Sequence, residues 1–175
     1  MQRRVFLIGG AAALAAGPGM LQAKTSKAPS HLSLYHTHTQ ETLDLERSRK
    51  GGFSKKSLKQ VDKFLRDHRN DEVAHIDPDL LETLFDLTRR ANNPDGVIEI
   101  VSGYRSPETN SEMRKKSRGV AKKSFHMLGK AVDIRVRGNS TSDLRDIAIA
   151  MKRGGVGYYR KSDFIHLDTG QARHW

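Results

Sequence analysis

Two segments of the sequence concentrate side chains that could hold a metal ion. The first contains His126 and Asp133, and the second contains His166 and Asp168. Two imidazoles and one carboxylate suit zinc, so the candidate ligands are His126, Asp133 and His166. Three protein ligands leave a fourth position for water, whose pKa zinc lowers to about 7, and this would provide hydroxide at neutral pH. Spacing alone, however, fits ordinary structural or surface polar residues as well.

Hydrolysis at such a site would need two further groups. A carboxylate must accept the proton of the water, and the candidates are Asp163 and Asp168 because both lie close to His166 in sequence. Alternation along a strand places Asp168, but not Asp163, on the face of His166. A cation must also stabilise the developing oxyanion. Arg105, which follows a predicted buried strand, is the best-placed arginine.

Two predicted strands would position these side chains. The run 131–136 alternates between an apolar face and a face that carries Asp133. The run 164–168 alternates in the same way and places His166 on one face. A glycine between His126 and the first strand allows a tight return of the chain. If the strands are neighbours, the three candidate ligands converge on one point.

The rest of the chain predicts an α+β fold with a small, mostly antiparallel sheet and helices packed on it. Weak alternation over residues 31–47 indicates a hairpin, and a continuous apolar run at 97–101 indicates a buried strand. The glycine-rich segment 154–157 is interpreted as a turn. Predicted helices begin at Ser54, Asp77 and Ser106, and a further helix contains residues 144–151.

Four ordered motifs resemble one known family. The S-x-H-x-x-G-x-A-x-D motif of the zinc D-alanyl-D-alanine peptidases, which include the VanX and VanY type enzymes and share a fold with the hedgehog signalling domain, is matched by Ser124, His126, Gly129, Ala131 and Asp133. The segment 102–106 resembles the arginine-bearing motif of that family. The two motifs most similar to its YcbK-like (MepK) murein endopeptidase branch are the segment 154–159 and the segment 164–170 with the terminal residues 173–175.

This resemblance covers roughly residues 31–175 and implies a zinc peptidase domain. One zinc ion would be bound by His126, Asp133 and His166. The activity implied is hydrolysis of peptide bonds in the stem peptides or cross-links of peptidoglycan. Two alternatives stay open: a D-alanyl-D-alanine carboxypeptidase, and a non-catalytic, zinc-stabilised peptidoglycan-binding domain.

The resemblance also suggests roles for the remaining site residues. Arg105 is expected to steady the tetrahedral intermediate. Several relatives carry an acid three positions before the last histidine, which favours Asp163 narrowly over Asp168 as the general base.

The amino-terminal segment, residues 1–23, has the pattern of an export signal. Arg3 and Arg4 precede an apolar run that is too short to cross a bilayer. Paired arginines favour the twin-arginine route to the periplasm. Cleavage at the end of this segment would leave a protein without stable membrane insertion, with a linker at 24–30 and the catalytic domain at 31–175. The alternative is an uncleaved membrane anchor.

Composition narrows the classes of function. The chain has 175 residues, no cysteine and a formal net charge of +11. The lack of cysteine excludes disulfides, zinc–thiolate sites and cysteine nucleophiles. The positive charge would suit a nucleic acid. An aromatic content of 6% and the export signal argue against that partner and favour peptidoglycan.

Two further patterns are weaker. The basic stretch 114–123 borders His126 and is either a solvated loop or a surface that attracts the carboxylates of stem peptides. His36 and His38 could form a metal-binding pair. They lie far in sequence from the other ligands, so we expect them to be solvated or to line the cleft.

Overall fold

One mixed sheet with helices packed on it forms the domain. The structure is a computed structural model that describes residues 31–117 and 119–175, so the predicted export signal (1–23) and linker (24–30) lie outside the described residues. The strands are β1 (His31–His36), β2 (Thr42–Glu46), β3 (Ile98–Ser102), β4 (Ala131–Val136), β5 (Gly155–Tyr159), β6 (Phe164–Asp168) and β7 (Arg173–His174). The helices are α1 (Lys55–Phe64), α2 (Pro78–Arg90), α3 (Pro107–Lys116) and α4 (Thr141–Met151), with short 3₁₀ helices at Phe125–Leu128 and Arg160–Ser162. The predicted α+β class is confirmed.

The strands are arranged in the order β2-β1-β3-β4-β6-β5-β7. β1 pairs in parallel with β3, and β5 pairs in parallel with β7, whereas the other neighbouring strands are antiparallel. The hairpin predicted over residues 31–47 is formed by β1 and β2. β4 lies in the middle of the sheet, between β3 and β6, so it is covered by neighbours on both sides.

Alternation in β4 separates the core from the site. Val132, Ile134 and Val136 belong to the hydrophobic core together with leucines of α2 and α4, and Val132 and Ile134 are completely buried. Asp133 has the opposite parity, so its side chain leaves the other face of the sheet. No helix within residues 31–117 and 119–175 combines the length and the apolar character needed to cross a bilayer.

The helices begin where their capping residues predict. The hydroxyls of Ser54 and Ser106 accept hydrogen bonds from backbone N–H groups of the first turns of α1 and α3, and the Asp77 carboxylate does the same for α2. The basic stretch 114–123 is only partly a loop, because α3 continues to Lys116.

The turn predicted at residues 154–157 is wrong. Gly155 begins β5, and the next residues pair with β6, with Val156 opposite Leu167 and Gly157 opposite His166. Glycine has a low intrinsic preference for strands, so the composition alone indicated a turn. The tertiary contacts of these glycines, described below, account for their presence in a strand.

Candidate metal centre

Neighbouring strands bring two of the candidate ligands together. In the antiparallel pair of β4 and β6, Asp133 lies directly opposite His166, and both side chains are on the face away from the core. His126 comes from the 3₁₀ helix that precedes β4. Gly129 ends this helix with a φ of 65°, a left-handed conformation that suits glycine and turns the chain into the strand.

The three predicted ligands form one compact cluster. The distance from His126 Nε2 to His166 Nδ1 is 3.2 Å, and Asp133 Oδ1 lies 3.3 Å from the first atom and 2.9 Å from the second. Within the described residues, this is the group of His, Asp and Glu side chains whose donor atoms are close enough to share an ion. All three residues are buried, so their polar atoms need partners.

Hydrogen bonds behind the cluster fix which imidazole nitrogen faces it. His126 Nδ1 lies 2.7 Å from the carbonyl oxygen of Gly103, which can only accept, so Nδ1 carries the proton. His166 Nε2 lies 3.2 Å from Asp168 Oδ2 and donates to that carboxylate. Each neutral ring therefore turns a lone pair towards the Asp133 carboxylate.

The electrostatics of the cluster keep Asp133 ionised. Burial by itself would raise the pKa of this carboxyl, but attraction to His126 and His166 in their protonated forms, and hydrogen bonds from them, outweigh burial and hold the pKa well below its usual range. Burial lowers the pKa of His166, whereas its hydrogen bonds to Asp133 and Asp168 raise it, and the net shift is upward. The site thus holds an ionised carboxylate beside a His166 ring whose positively charged form is favoured.

Arg105 lies beside the cluster, as the sequence predicts. Its Nη2 is 3.8 Å from Asp133 Oδ2, and its backbone N–H donates to the carbonyl oxygen of His126 at 3.2 Å. Asn110 Oδ1 accepts from Nη1 at 3.3 Å, and Ser102 Oγ accepts from Nη2 at 3.4 Å. These contacts hold a buried guanidinium at the edge of the cavity.

The structure does not bring Asp163 to the cluster. Asp163 ends the 3₁₀ helix after β5 with a φ of 51°, and its Oδ1 accepts a hydrogen bond from the Thr141 hydroxyl at 2.7 Å. The left-handed backbone turns the side chain towards the start of α4 instead of into the strand alternation. The catalytic role of Asp163 stays a prediction, and in this structure its carboxylate is engaged with Thr141.

Asp168 contacts His166 on the side of the ring that faces away from the cluster. Alternation along β6 places it on the face of His166, as predicted, but its carboxylate contacts the ring nitrogen that faces away from the other two ligands. Its side chain is completely buried and also pairs with Arg173. A carboxylate in this position can orient His166 but is poorly placed to take a proton in the cavity.

A cavity of about 300 Å³ opens over the cluster. It exposes the candidate ligands and Arg105 on one side, and Lys123, Tyr159 and Trp175 on others. The Trp175 ring lies 5.4 Å from the His166 ring, and its indole N–H donates to the Tyr159 hydroxyl at 3.3 Å. The sequence assigned no roles to these aromatic residues, because they were marked only by the resemblance of the segments 154–159 and 173–175 to the family.

His36 and His38 were expected to be solvated or to line the cleft. Only His38 is exposed, and neither residue lines the cavity over the cluster. His36 is completely buried against Phe64 and His68, while His38 stacks on His68 with ring centroids 4.1 Å apart. His36 Nδ1 accepts backbone N–H bonds from His38 and Thr39, so the proton of the neutral ring is on Nε2. No lone pair of His36 is left for a metal ion.

Fold and site together define the class of this protein. A mixed α+β sheet that carries a buried His–Asp–His cluster fits an M15-type peptidase domain. The model of the Peptidase_M15_2 family, described as peptidoglycan L,D-endopeptidase MepK, matches residues 24–175. The chain belongs to this family, and the resemblance inferred from its motifs is confirmed.

Curated relatives agree over nearly the whole chain. Peptidoglycan L,D-endopeptidase MepK of Escherichia coli strain K12 is 39% identical over 182 residues, covering 99% of this chain and 96% of the relative. The protein of the same name from Shigella flexneri has the same identity and coverage. A probable peptidoglycan L,D-endopeptidase MepK of Haemophilus influenzae is 40% identical over 147 residues, covering 84% of this chain and 79% of the relative.

Proposed function

We propose that this protein is an exported zinc peptidase that hydrolyses peptide bonds in peptidoglycan. The observation that carries the proposal is the convergence of three metal-binding donors, from His126, Asp133 and His166, at the floor of a cavity. The names of the relatives support an L,D-peptide bond of peptidoglycan as the target. The predicted export signal supports action in the periplasm.

The donor set fits zinc. Bonds of about 2.0–2.1 Å at tetrahedral angles place neighbouring donors roughly 3.3 Å apart. The donor separations of 2.9, 3.2 and 3.3 Å are close to this value. Two lone pairs and a carboxylate that face one another also require a positive charge between them, which a cation provides.

The cofactor and the protein would divide the chemistry between them. Bound zinc supplies a Lewis acid and a source of nucleophile at neutral pH. Arg105 would donate to the oxygen of the scissile carbonyl as negative charge develops there, and its contacts with Asn110 and Ser102 keep the guanidinium in place before the substrate arrives. Burial strengthens this interaction because water does not screen it fully.

Digestion of purified sacculi tests the proposal. With zinc, the protein should remove cross-linked muropeptides, and a chelator should stop the reaction. An Asp133→Asn variant should be inactive, whereas Asp44→Asn, which changes an exposed acid on β2, should retain activity. Circular dichroism would verify that both variants fold.

The products separate the proposed activity from its alternatives. Release of free D-alanine without loss of cross-links would identify a carboxypeptidase. Binding to sacculi without any change in muropeptides would identify a non-catalytic domain. Digestion that continues unchanged in the presence of the chelator would overturn the metal mechanism.

A further inference from the structure

Asp168 has an unusually complete set of hydrogen-bond donors. Its Oδ2 receives the Nε2–H of His166 at 3.2 Å, and Arg173 binds both carboxylate oxygens, at 3.1 Å through Nη1 and 2.6 Å through Nη2. The backbone N–H groups of Gly155 and Gly170 donate to Oδ1 at 3.0 and 2.9 Å. A carboxylate held by so many donors has a fixed orientation, and it fixes the group that it faces.

Arg173 is in turn held by aromatic rings. Its guanidinium carbon lies 5.3 Å from the centre of the Phe125 ring and 5.1 Å from the centre of the Trp175 ring. A guanidinium between two aromatic faces is attracted to both. Phe125 directly precedes His126, so this cluster contacts the segments of two candidate ligands.

The glycines of β5 make room for this cluster. A Cβ atom built on Gly155 would lie 2.5 Å from Arg173 Nη1 and would also collide with the Asp168 carboxylate. A Cβ atom on Gly157 would lie 2.8 Å from the Trp175 indole. These contacts explain why a glycine-rich segment is found in a paired strand, where glycine otherwise costs stability.

We propose that Asp168 and Arg173 form a positioning pair that holds His166 with its Nδ1 directed at the metal. The inference rests on the proposed metal site and assigns Asp168 to orientation of a ligand instead of proton transfer. Carboxylates behind ligand histidines fix the tautomer and the ring orientation, and their loss weakens metal binding about 10–100-fold. Arg173 would act through Asp168, so its removal should have a smaller effect in the same direction.

Zinc affinity, measured by competition with a chromophoric chelator, tests this role. We expect a 10–100-fold weaker affinity for Asp168→Asn, about 10-fold weaker for Arg173→Gln, and partial recovery in Arg173→Lys. The matched control is Arg153→Gln, because Arg153 has a similarly exposed side chain, 41% against 42% for Arg173, and pairs with Asp86 on another part of the surface. This control should bind zinc like the unmodified protein.

The single tryptophan gives a second, local readout. Trp175 is the only tryptophan of the chain, and its ring lies 5.4 Å from that of His166, so Co²⁺ bound at the site should quench its fluorescence. In Asp168→Asn, the quenching curve should move to higher Co²⁺ concentration and the visible Co²⁺ spectrum should change. A merely structural role would lower the melting temperature without altering that spectrum.

The outcomes distinguish the two proposals. If the unmodified protein neither binds zinc nor shows quenching by Co²⁺, the proposed metal function fails. If it binds zinc while folded Asp168→Asn and Arg173→Gln bind within twofold of it, the metal function stands and the positioning role is refuted.

Discussion

Arg105 offers a test at the scale of a single residue, because its side chain borders the metal-binding cluster without belonging to it. We expect Arg105→Ala to reduce kcat about 10²–10³-fold, corresponding to roughly 2.7–4 kcal/mol of transition-state stabilisation. Arg105→Lys should reduce kcat less than Arg105→Ala, because lysine keeps the positive charge, although it lacks the planar guanidinium with its several donors. Zinc content should be unchanged in both. A kcat within threefold of normal in Arg105→Ala would refute the assignment.

Asp163 provides a contrasting prediction. Because its carboxylate contacts Thr141 and is absent from the cavity wall, Asp163→Ala should keep turnover within about threefold of normal. The lost hydrogen bond should lower the free energy of unfolding by about 1 kcal/mol. Steady-state kinetics and urea denaturation measure the two effects. A large fall in kcat with normal stability would restore Asp163 as a general base.

The sequence was sufficient to predict part of the site but not all of it. Strand alternation and motif matching were sufficient to predict that Asp133 and His166 share a face. They could not reveal that Asp163 adopts a left-handed conformation and turns to α4, since that depends on tertiary contacts. The position of Trp175 was equally hidden, because it depends on how β7 docks beside β5.

At the scale of elements, the loop after α1 supports the segment that carries Arg105. Asp67 is buried, and its Oδ2 accepts the backbone N–H of Ser106, the capping residue of α3, at 2.9 Å. Asp67→Ala would leave that N–H without its acceptor, at a cost of about 1–3 kcal/mol. We therefore expect a lower free energy of unfolding and a lower kcat from displaced Arg105.

Asp67→Asn is the control for this prediction. Its amide oxygen can still accept from Ser106, so most of the turnover should remain. Its NH2 group replaces the oxygen that accepts the Arg69 backbone N–H at 3.0 Å, so part of the stability should be lost. Denaturation and kinetic measurements on both variants decide the question. Equal kcat values for Asp67→Ala and the unmodified protein would show that the loop does not position Arg105.

Some helices and strands could be predicted from their own sequences, and others could not. Helix starts were predictable because a capping side chain satisfies local backbone N–H groups, as Ser54 and Asp77 do. The parallel pairing of β1 with β3 could not be predicted, because it joins segments that are far apart in the chain and leaves no local sequence pattern. The start of β5 was predicted as a turn for another reason. Its glycines are required because the Arg173 and Trp175 side chains leave no room for a Cβ atom, and glycine has a low preference for strands.

At the scale of the whole molecule, charge should influence how fast substrate is captured. The net charge is +11, and Lys123 lies on the cavity wall. Stem peptides carry carboxylates, so kcat/KM should fall several-fold as ionic strength rises and the screening length drops below about 10 Å. Lys123→Gln should flatten this dependence, whereas Lys55→Gln, at the start of α1, should not. A salt-independent kcat/KM would exclude electrostatic steering.

Two histidines, His36, which is buried, and His68, which is half-buried, should also limit the stability of the whole domain in acid. Burial and the neighbouring His38 lower the pKa of His36 to about 4, and burial and Arg69 lower that of His68 to about 4. Both rings charge more readily in the unfolded chain, near pH 6.5. The contribution of these two histidines to stability should therefore be full above pH 6.5 and decline as the pH falls towards 4.

Urea denaturation at several pH values measures this decline. His36→Asn keeps an acceptor for the following N–H groups but removes one titrating ring, so its stability should depend less on pH between 6.5 and 4. The exposed His174→Asn variant leaves the His36 and His68 rings in place and serves as control. A pH dependence identical in His36→Asn and the unmodified protein would contradict the prediction.

Every role proposed above depends on one zinc ion held by His126, Asp133 and His166. The most direct measurement is an anomalous difference map, collected at the zinc absorption edge, from crystals of a preparation that digests sacculi. We expect one strong peak within bonding distance of His126 Nε2, His166 Nδ1 and the Asp133 carboxylate. Active, zinc-supplied crystals with no peak among these three side chains would contradict it.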